Sequence, residues 1–292
     1  MGLLVYLNGK MVPEEEAKIS IFDHAVLYGD GVFEGLRSYN GKIFKLDEHL
    51  ERLYISAKAI MLKIPLEFSE MRKAVIETVK VNNLKDSYIR IVVTRGIGDL
   101  GLDPTICKNQ SVFIIASKLQ LYSESFYEKG LEIVTVPTRR NLCESLNPAI
   151  KSLNYLNNIL AKIEAMNCGA MEGLMLNNEG YISECTGENV FIIKKKKVFT
   201  PPVYAGTLPG ITREVVIEIV KNMGLEVKEM LLTRYDLYSC DECFITGTAA
   251  EIMPVTCVDK RIIGEGKQGP ITKKIRESFR RLVDTEGVPV YE

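Results

Sequence analysis

Apolar and polar positions first alternate with a period of two and then settle into a helical period, so strands are expected before helices. Tyr6-Leu7-Asn8-Gly9-Lys10-Met11-Val12 predicts a hairpin that turns at Asn-Gly, and Gly41 predicts a second turn between Leu36–Tyr39 and Lys42–Leu46. From Glu48 onward Leu50, Leu53, Tyr54, Ala57, Ile60 and Met61 fall at helical spacing, and a second helix is expected over Glu70–Val81. Tyr88–Thr94 and Ser111–Ala116 read as buried strands. Between Lys118 and Gly130 the pattern loses its period and turns polar, which marks a linker.

Beyond it, Leu131–Pro137 predicts a strand. A helix is expected from near Leu153, with Leu153, Leu156, Ile159, Leu160, Ile163 and Met166 on one stripe. Short strands follow around Leu174, Tyr181, Phe191 and Val198, and an amphipathic helix over Ile211–Met223 ends at Gly224 as its cap. This order gives an α+β protein of two domains: residues 1–120, a linker over 121–132, and residues 133–292.

The length of 292 residues fits that division, although some all-β and barrel domains also reach it. A hydrophobic share of 46% with 26% charged residues excludes a disordered or collagen-like chain, and a net charge of −1 supplies no field for nucleic acid. Apolar runs such as Ser111–Ala116 are too short to span a membrane, and the N-terminus lacks a secretion signal, so a cytoplasmic location is expected. Seven scattered cysteines fit reduced thiols better than a disulfide framework, and Cys240-x-x-Cys243 has no second pair or nearby His, so no metal site is expected.

Gly96-Ile97-Gly98-Asp99-Leu100-Gly101 formally matches a dinucleotide fingerprint, but Leu102-Asp103-Pro104 follows where a helix should open, so it reads as a loop. Lys151 precedes a helical stretch, and Tyr155 falls on its side if the helix begins there; a phenol suits an amine that must lose a proton to attack. Glu184 lies among small and polar residues between two short strands. It is either part of a turn or a carboxylate placed to keep a pyridine nitrogen protonated. Leu208-Pro209-Gly210-Ile211-Thr212-Arg213 opens a helix whose first N–H groups either make an ordinary helix start or bind a phosphate; Gly247-Thr248-Ala249-Ala250 offers further donors or a simple turn. His49 and Arg52 share a helix face, and Arg52 suits a phosphate or the surface. Tyr88 and Arg90 share a strand face, where Arg90 requires an acidic partner, from the protein or from a substrate.

Taken together and in this order, these segments, with Tyr28-Gly29-Asp30-Gly31-Val32-Phe33-Glu34-Gly35 and Glu48–Leu53, give a chain that resembles the branched-chain aminotransferase group of the fold type IV pyridoxal phosphate enzymes from Asn8-Gly9 through Phe279. The resemblance implies a D-amino acid aminotransferase-like fold of two domains with pyridoxal 5'-phosphate between them, the larger one over 133–292 carrying the Schiff-base lysine.

By matched motif, Lys151 resembles that lysine, Tyr155 the phenol at the cofactor's ring oxygen, and Glu184 the partner of its ring nitrogen. Arg52, Leu208, Gly210, Ile211, Thr212, Gly247 and Thr248 resemble the phosphate cup, with Thr186 and Gly187 beside the cofactor. Tyr88, Thr248 and Ala249 resemble the groups on the substrate α-carboxylate, and Arg90 the one on the distal carboxylate of glutamate. Phe33, Tyr28, Leu100 and Leu102 resemble the walls of an apolar pocket, with Tyr122 a further pocket residue. Tyr28 and the Leu100–Leu102 loop would come from a second subunit, which makes a homodimer the minimum assembly.

The implied reaction is ping-pong transamination between L-leucine, L-isoleucine or L-valine and 2-oxoglutarate, in which Lys151 moves a proton at the substrate Cα. Relatives acting on D-amino acids carry Arg-x-His in the loop here formed by Arg95–Pro104, which has no His. D-amino acid transaminase, aminodeoxychorismate lyase and a non-catalytic cofactor-binding homologue are the alternatives.

Overall fold

The Asn8-Gly9 turn closes the first hairpin, with φ of 48° and 89° at its two central residues, between β1 (Leu4–Leu7) and β2 (Lys10–Pro13). The computed structural model describes residues 2–118 and 124–291, so Tyr122 and part of the expected linker lie outside the described residues. The chain divides into two units, Met1–Leu119 with Ile150–Asn154 and Val283–Glu292, and Gln120–Ala149 with Tyr155–Leu282.

In the first unit α1 (His24–Tyr28) leads into β3 (Gly31–Tyr39), which turns through Asn40-Gly41 into the short β4 (Lys42–Ile43). Leu46 does not close a strand as the pattern predicts; it opens α2 (Leu46–Ala59), followed by α3 (Phe68–Val81). β5 (Ser87–Ile97) and β6 (Asn109–Ser117) complete a seven-stranded sheet in the order C-terminal strand Val288–Pro289, β4, β3, β5, β6, β1, β2. Its core interleaves Val32, Leu36, Ile89, Ile91, Val93 and Ile114 with Leu50, Leu53, Met71, Val75 and Val79 of the two helices. Met61, counted with the α2 stripe, is exposed beyond the helix end. After β5 the glycine-rich loop gives a 3-10 turn and β6, with no helix for a nucleotide.

The second unit contains α4 (Glu124–Lys129), β7 (Leu131–Thr135), α5 (Leu156–Asn167), β8 (Glu172–Leu176), β9 (Ile182–Cys185), β10 (Asn189–Lys194), β11 (Lys197–Thr200), α6 (Ile211–Asn222), β12 (Val227–Glu229), α7 (Arg234–Tyr238), β13 (Glu242–Gly247), β14 (Glu251–Val258) and β15 (Arg261–Ile262). α8 (Pro270–Thr285) follows. The sheet runs β12-β11-β10-β13-β14-β7-β8-β9, with β15 against β14. Where the pattern predicts only linker, α4 forms and buries Tyr127 in this unit's core.

α5 differs most from expectation. It starts at Leu156, and its buried face is Asn158, Ala161 and Ala165. The apolar stripe of Leu156, Ile159, Leu160, Ile163 and Met166 points outward, with Leu156 66% and Met166 65% exposed. The cause is close approach to β8: a side chain at Gly173 would begin 3.1 Å from the Ala161 carbonyl oxygen and 3.3 Å from the Ala165 methyl, so only small residues fit on the inner face.

Candidate active site

A carboxylate at the centre of an apolar strand must find a cation and further donors, and Glu34 of β3, fully buried, finds Arg52 and His49 on α2. Arg52 donates from Nε at 2.6 Å and from Nη2 at 2.9 Å, and His49 Nδ1 lies 2.7 Å from a carboxylate oxygen. Burial raises the carboxyl's pKa, but Arg52 and His49 outweigh it and hold Glu34 well below the usual range. Burial lowers His49, so the ring stays neutral and donates through Nδ1–H to the ionised Glu34. Arg52 and His49 thus share a face as the spacing predicts, and Glu34 fixes them there.

Residues 150–154 run alongside β3. Phe33 N–H donates to the Lys151 carbonyl at 3.0 Å, Leu153 N–H to the Gly31 carbonyl at 2.9 Å, and Lys151 N–H to Ser56 Oγ at 3.2 Å. Lys151 therefore belongs to the first unit, in extended chain, rather than with residues 133–292, and because α5 starts after Tyr155 the helical spacing argued for Lys151 and Tyr155 does not apply. Lys151 Nζ lies 4.6 Å from the Phe33 ring centre, and the Arg90 guanidinium stacks 3.5 Å from the same centre. The contact described for Arg90 is thus an aromatic face, where a carboxylate is expected. Phe33 is buried beneath these cations, while the Tyr88 hydroxyl on the adjacent strand occupies the space a side chain at Gly35 would need.

Tyr28, at the end of α1, accepts a hydrogen bond from Gly101 N–H at 3.0 Å, and His24 Nε2 reaches the Asp99 carbonyl at 3.0 Å. These bonds tie the glycine-rich loop to α1 and leave Leu100 and Leu102 74% and 83% exposed.

In the second unit Glu184 of β9 is buried and accepts four N–H bonds. Arg140 gives Nε at 2.9 Å and Nη2 at 2.8 Å to one oxygen; Leu208 N–H at 2.9 Å and Asn189 Nδ2 at 3.2 Å reach the other. Arg140 also donates to Asn158 Oδ1 of α5 at 3.0 Å, and Asn158 Nδ2 holds the Thr186 carbonyl at 2.7 Å. Glu184 is therefore a fixed anion beside the 186–187 turn.

Asn189 carries this order to the start of α6, donating to the Leu208 carbonyl at 3.0 Å. Gly210 is the N-cap and gives no side-chain cap, so the first N–H groups of α6, at Ile211 and Thr212, face outward from the helix end. A Cβ at 210 would lie 2.1 Å from Asn189 Oδ1, so any side chain there must displace the Asn189 amide. The Thr207 hydroxyl, just before this turn, is buried without a hydrogen-bond partner. Gly247 packs against the 187–188 turn, 3.3 Å from the Gly187 carbonyl oxygen measured from where its Cβ would stand, and leads to Thr248 and Ala249. Within this unit, Glu184, Thr186, Gly187, Leu208, Gly210, Asn189 and Gly247 thus form one connected set.

Sequence reasoning missed Glu34, Arg140, Asn158 and Asn189. Two signals were available: a carboxylate inside the apolar run Val32–Leu36 demands a buried cation, and Arg139-Arg140 directly after an apolar strand places at least one arginine near the interior. Nothing in the local pattern marks Asn158 or Asn189.

Residues 31–258 match the family Amino-transferase class IV. A provisionally named branched-chain-amino-acid aminotransferase of Methanocaldococcus jannaschii is 52% identical over 99% of both chains. The crystal structure of the Escherichia coli branched-chain amino acid aminotransferase superposes with a TM-score of 0.95 at 37% identity, covering 98% of this chain and 97% of that one. The T.th. enzyme of the same name, 38% identical with 97% and 95% of the chains covered, superposes with TM-scores of 0.91 in complex with N-(5'-phosphopyridoxyl)-L-glutamate and 0.92 with 4-methylvaleric acid.

Proposed function

The chain belongs to the class IV aminotransferases, in their branched-chain amino acid group, and we propose on that basis that it exchanges amino groups between L-leucine, L-isoleucine or L-valine and 2-oxoglutarate with pyridoxal 5'-phosphate. The observation that carries this reading is the Glu184 anion, held by four N–H donors next to an uncapped helix start. The residues fit the cofactor: a fixed carboxylate suits a ring N–H⁺, and the α6 N–H groups with the unpartnered Thr207 hydroxyl suit a phosphate. When bound, pyridoxal phosphate supplies an electron sink that stabilises negative charge at the substrate Cα.

In this reading Lys151 Nζ would hold the cofactor and would take and return the Cα proton. Tyr155 donates to the ring oxygen. Arg52, oriented by Glu34, would neutralise the phosphate, to which the N–H groups of Gly210, Ile211, Thr212, Gly247 and Thr248 would donate; Leu208 N–H is taken by Glu184 and steadies this turn instead, and the Thr186-Gly187 turn would back the ring. Tyr88, Thr248 and Ala249 hold the α-carboxylate. Arg90 leaves the Phe33 ring to pair with the distal carboxylate of glutamate and stays stacked when the substrate side chain is apolar, which lets one pocket accept both.

The proposed working form is a homodimer at least, with Tyr28, Leu100 and Leu102 completing the partner's pocket. The exposed Ile21, Phe22, Val26, Leu100 and Leu102 of the first unit support it, since the bonds between the α1 region and the glycine-rich loop bring these apolar side chains into one neighbourhood. The seven free thiols support a cytoplasmic location. Among the described residues no helix is long and apolar enough to cross a membrane.

The decisive experiment mixes the holoenzyme with L-leucine in the absence of a 2-oxo acid. The cofactor's absorbance is expected to shift, and Lys151→Ala to abolish the shift; a response to D-alanine alone would replace this reading with D-amino acid chemistry.

A further inference from the structure

Behind the Gly247–Ala249 turn, which the proposed function gives to anions, lies a second buried carboxyl. Glu188 sits between β9 and β10, and its Cγ is 3.5 Å from where a Cβ on Gly247 would stand, so it packs directly behind the Gly247-Thr248-Ala249 turn. Its described hydrogen bond is from Gly187 N–H, long at 3.2 Å.

Its neighbours divide unequally. Glu172 of β8 takes the strong donors: Lys162 Nζ of α5 at 2.7 Å, Thr186 N–H at 2.9 Å, the Thr186 hydroxyl at 2.5 Å and Gly173 N–H at 2.8 Å. Glu184 of β9 takes Arg140. Glu188 is left buried beside these two carboxylates with no cation of its own in the described contacts; Lys162 offsets its charge only in part, because that lysine is committed to Glu172.

We propose that Glu188 holds a proton in the working enzyme, and that this proton is coupled to anion binding at the Gly247–Ala249 turn. The inference rests on the reading that this turn receives the substrate carboxylate and the cofactor phosphate. Ionised, Glu188 adds negative charge behind the anion; protonated, it does not. Burial first, and then the charge of Glu172, push Glu188 up to about 8, against the smaller opposing effects of Lys162 and Gly187 N–H, so the transition falls at the edge of the neutral range. An arriving anion favours the protonated form further, so binding takes up a proton. Glu188 is a positioning residue, acting through the turn it packs against.

The test uses the holoenzyme and 4-methylvalerate, which has a carboxylate ionised throughout the range and no amino group to react. Titration calorimetry near pH 8 in two buffers of different ionisation heat reads proton uptake, and repeats at pH 7 and pH 9 read affinity. Wild type is expected to take up a fraction of a proton and to lose roughly fivefold in affinity between the two pH values. The near-isosteric Glu188→Gln variant should take up none and keep the pH 7 affinity at pH 9. Infrared difference spectra of the wild type on binding should show a gain of protonated carboxyl, a readout that does not depend on any variant folding. Binding without uptake in wild type, or uptake unchanged in Glu188→Gln, overturns the proposal. If the cofactor is held but 4-methylvalerate does not bind either protein, the substrate-carboxylate reading itself fails and takes the inference with it.

Discussion

Exchanging Glu34 for Gln keeps its volume and removes the charge on which Arg52 and His49 converge. Three side-chain donors reach that carboxylate at 2.6, 2.9 and 2.7 Å, and Gly35 N–H at 3.2 Å, in a setting with no exposure to water. The amide retains one acceptor oxygen but turns an NH2 group toward N–H donors, so at least one bond becomes a donor–donor clash and Arg52 is left buried without its counter-ion. Breaking a buried pair from one side costs about 3–5 kcal/mol, which in a protein of this size lowers Tm by roughly 6–20 °C.

Arg52 also loses its orientation, and a charge-assisted hydrogen bond to phosphate is worth about 1.5–3 kcal/mol, so cofactor affinity should fall about tenfold to a hundredfold. The pH dependence has a definite sign. Glu34 is held below its ordinary 4.5 in the folded state, so its contribution is full above that pH and is lost as pH falls toward the folded value; E34Q should flatten this acid arm. His49 is lowered from 6.5, so it removes stability as pH drops below 6.5 in both proteins. Circular dichroism melts from pH 3 to pH 8 and a cofactor titration measure all of this. If E34Q melts within about 1 °C of wild type and binds pyridoxal phosphate equally well, the buried triad does not orient Arg52 and the reasoning fails.

Three further outcomes are expected. Gly210→Ala drives a methyl toward Asn189 Oδ1 and tilts the start of α6, so cofactor dissociation should accelerate about tenfold with the fold intact; an unchanged dissociation rate would detach this turn from the phosphate. Arg90→Met should cut kcat/KM for the L-glutamate half-reaction about tenfold to a hundredfold while leaving L-leucine within about threefold, and equal losses for both would argue against its role at the distal carboxylate. Arg140→Lys keeps the charge but not the paired Nε and Nη2 donation to Glu184, so kcat should drop about tenfold with cofactor still bound; full activity would mean the fork is dispensable.

Much of this protein was legible in one dimension. Asn8-Gly9 fixed a turn because both central residues need positive φ, and the apolar spacing of Leu50, Leu53 and Ala57 fixed the inner face of α2, since these effects act within a few residues. The identity of Lys151, Glu184, Gly210 and Arg52 as chemical candidates came from residue type and motif order alone. What local pattern could not decide was which face of α5 turns inward. The bulky stripe is the stronger periodic signal, yet the close approach permitted by Gly173 on the following strand, β8, selected the alanines, which no periodicity within α5 announces. Nor could it pair Glu34 with Arg52 and His49, or Glu184 with Arg140, 44 residues apart, because the partner of a buried charge is set by which elements the sheet brings together. Short-range sterics and periodicity wrote the elements; desolvation of buried charge, satisfied only across the fold, decided how the site is held.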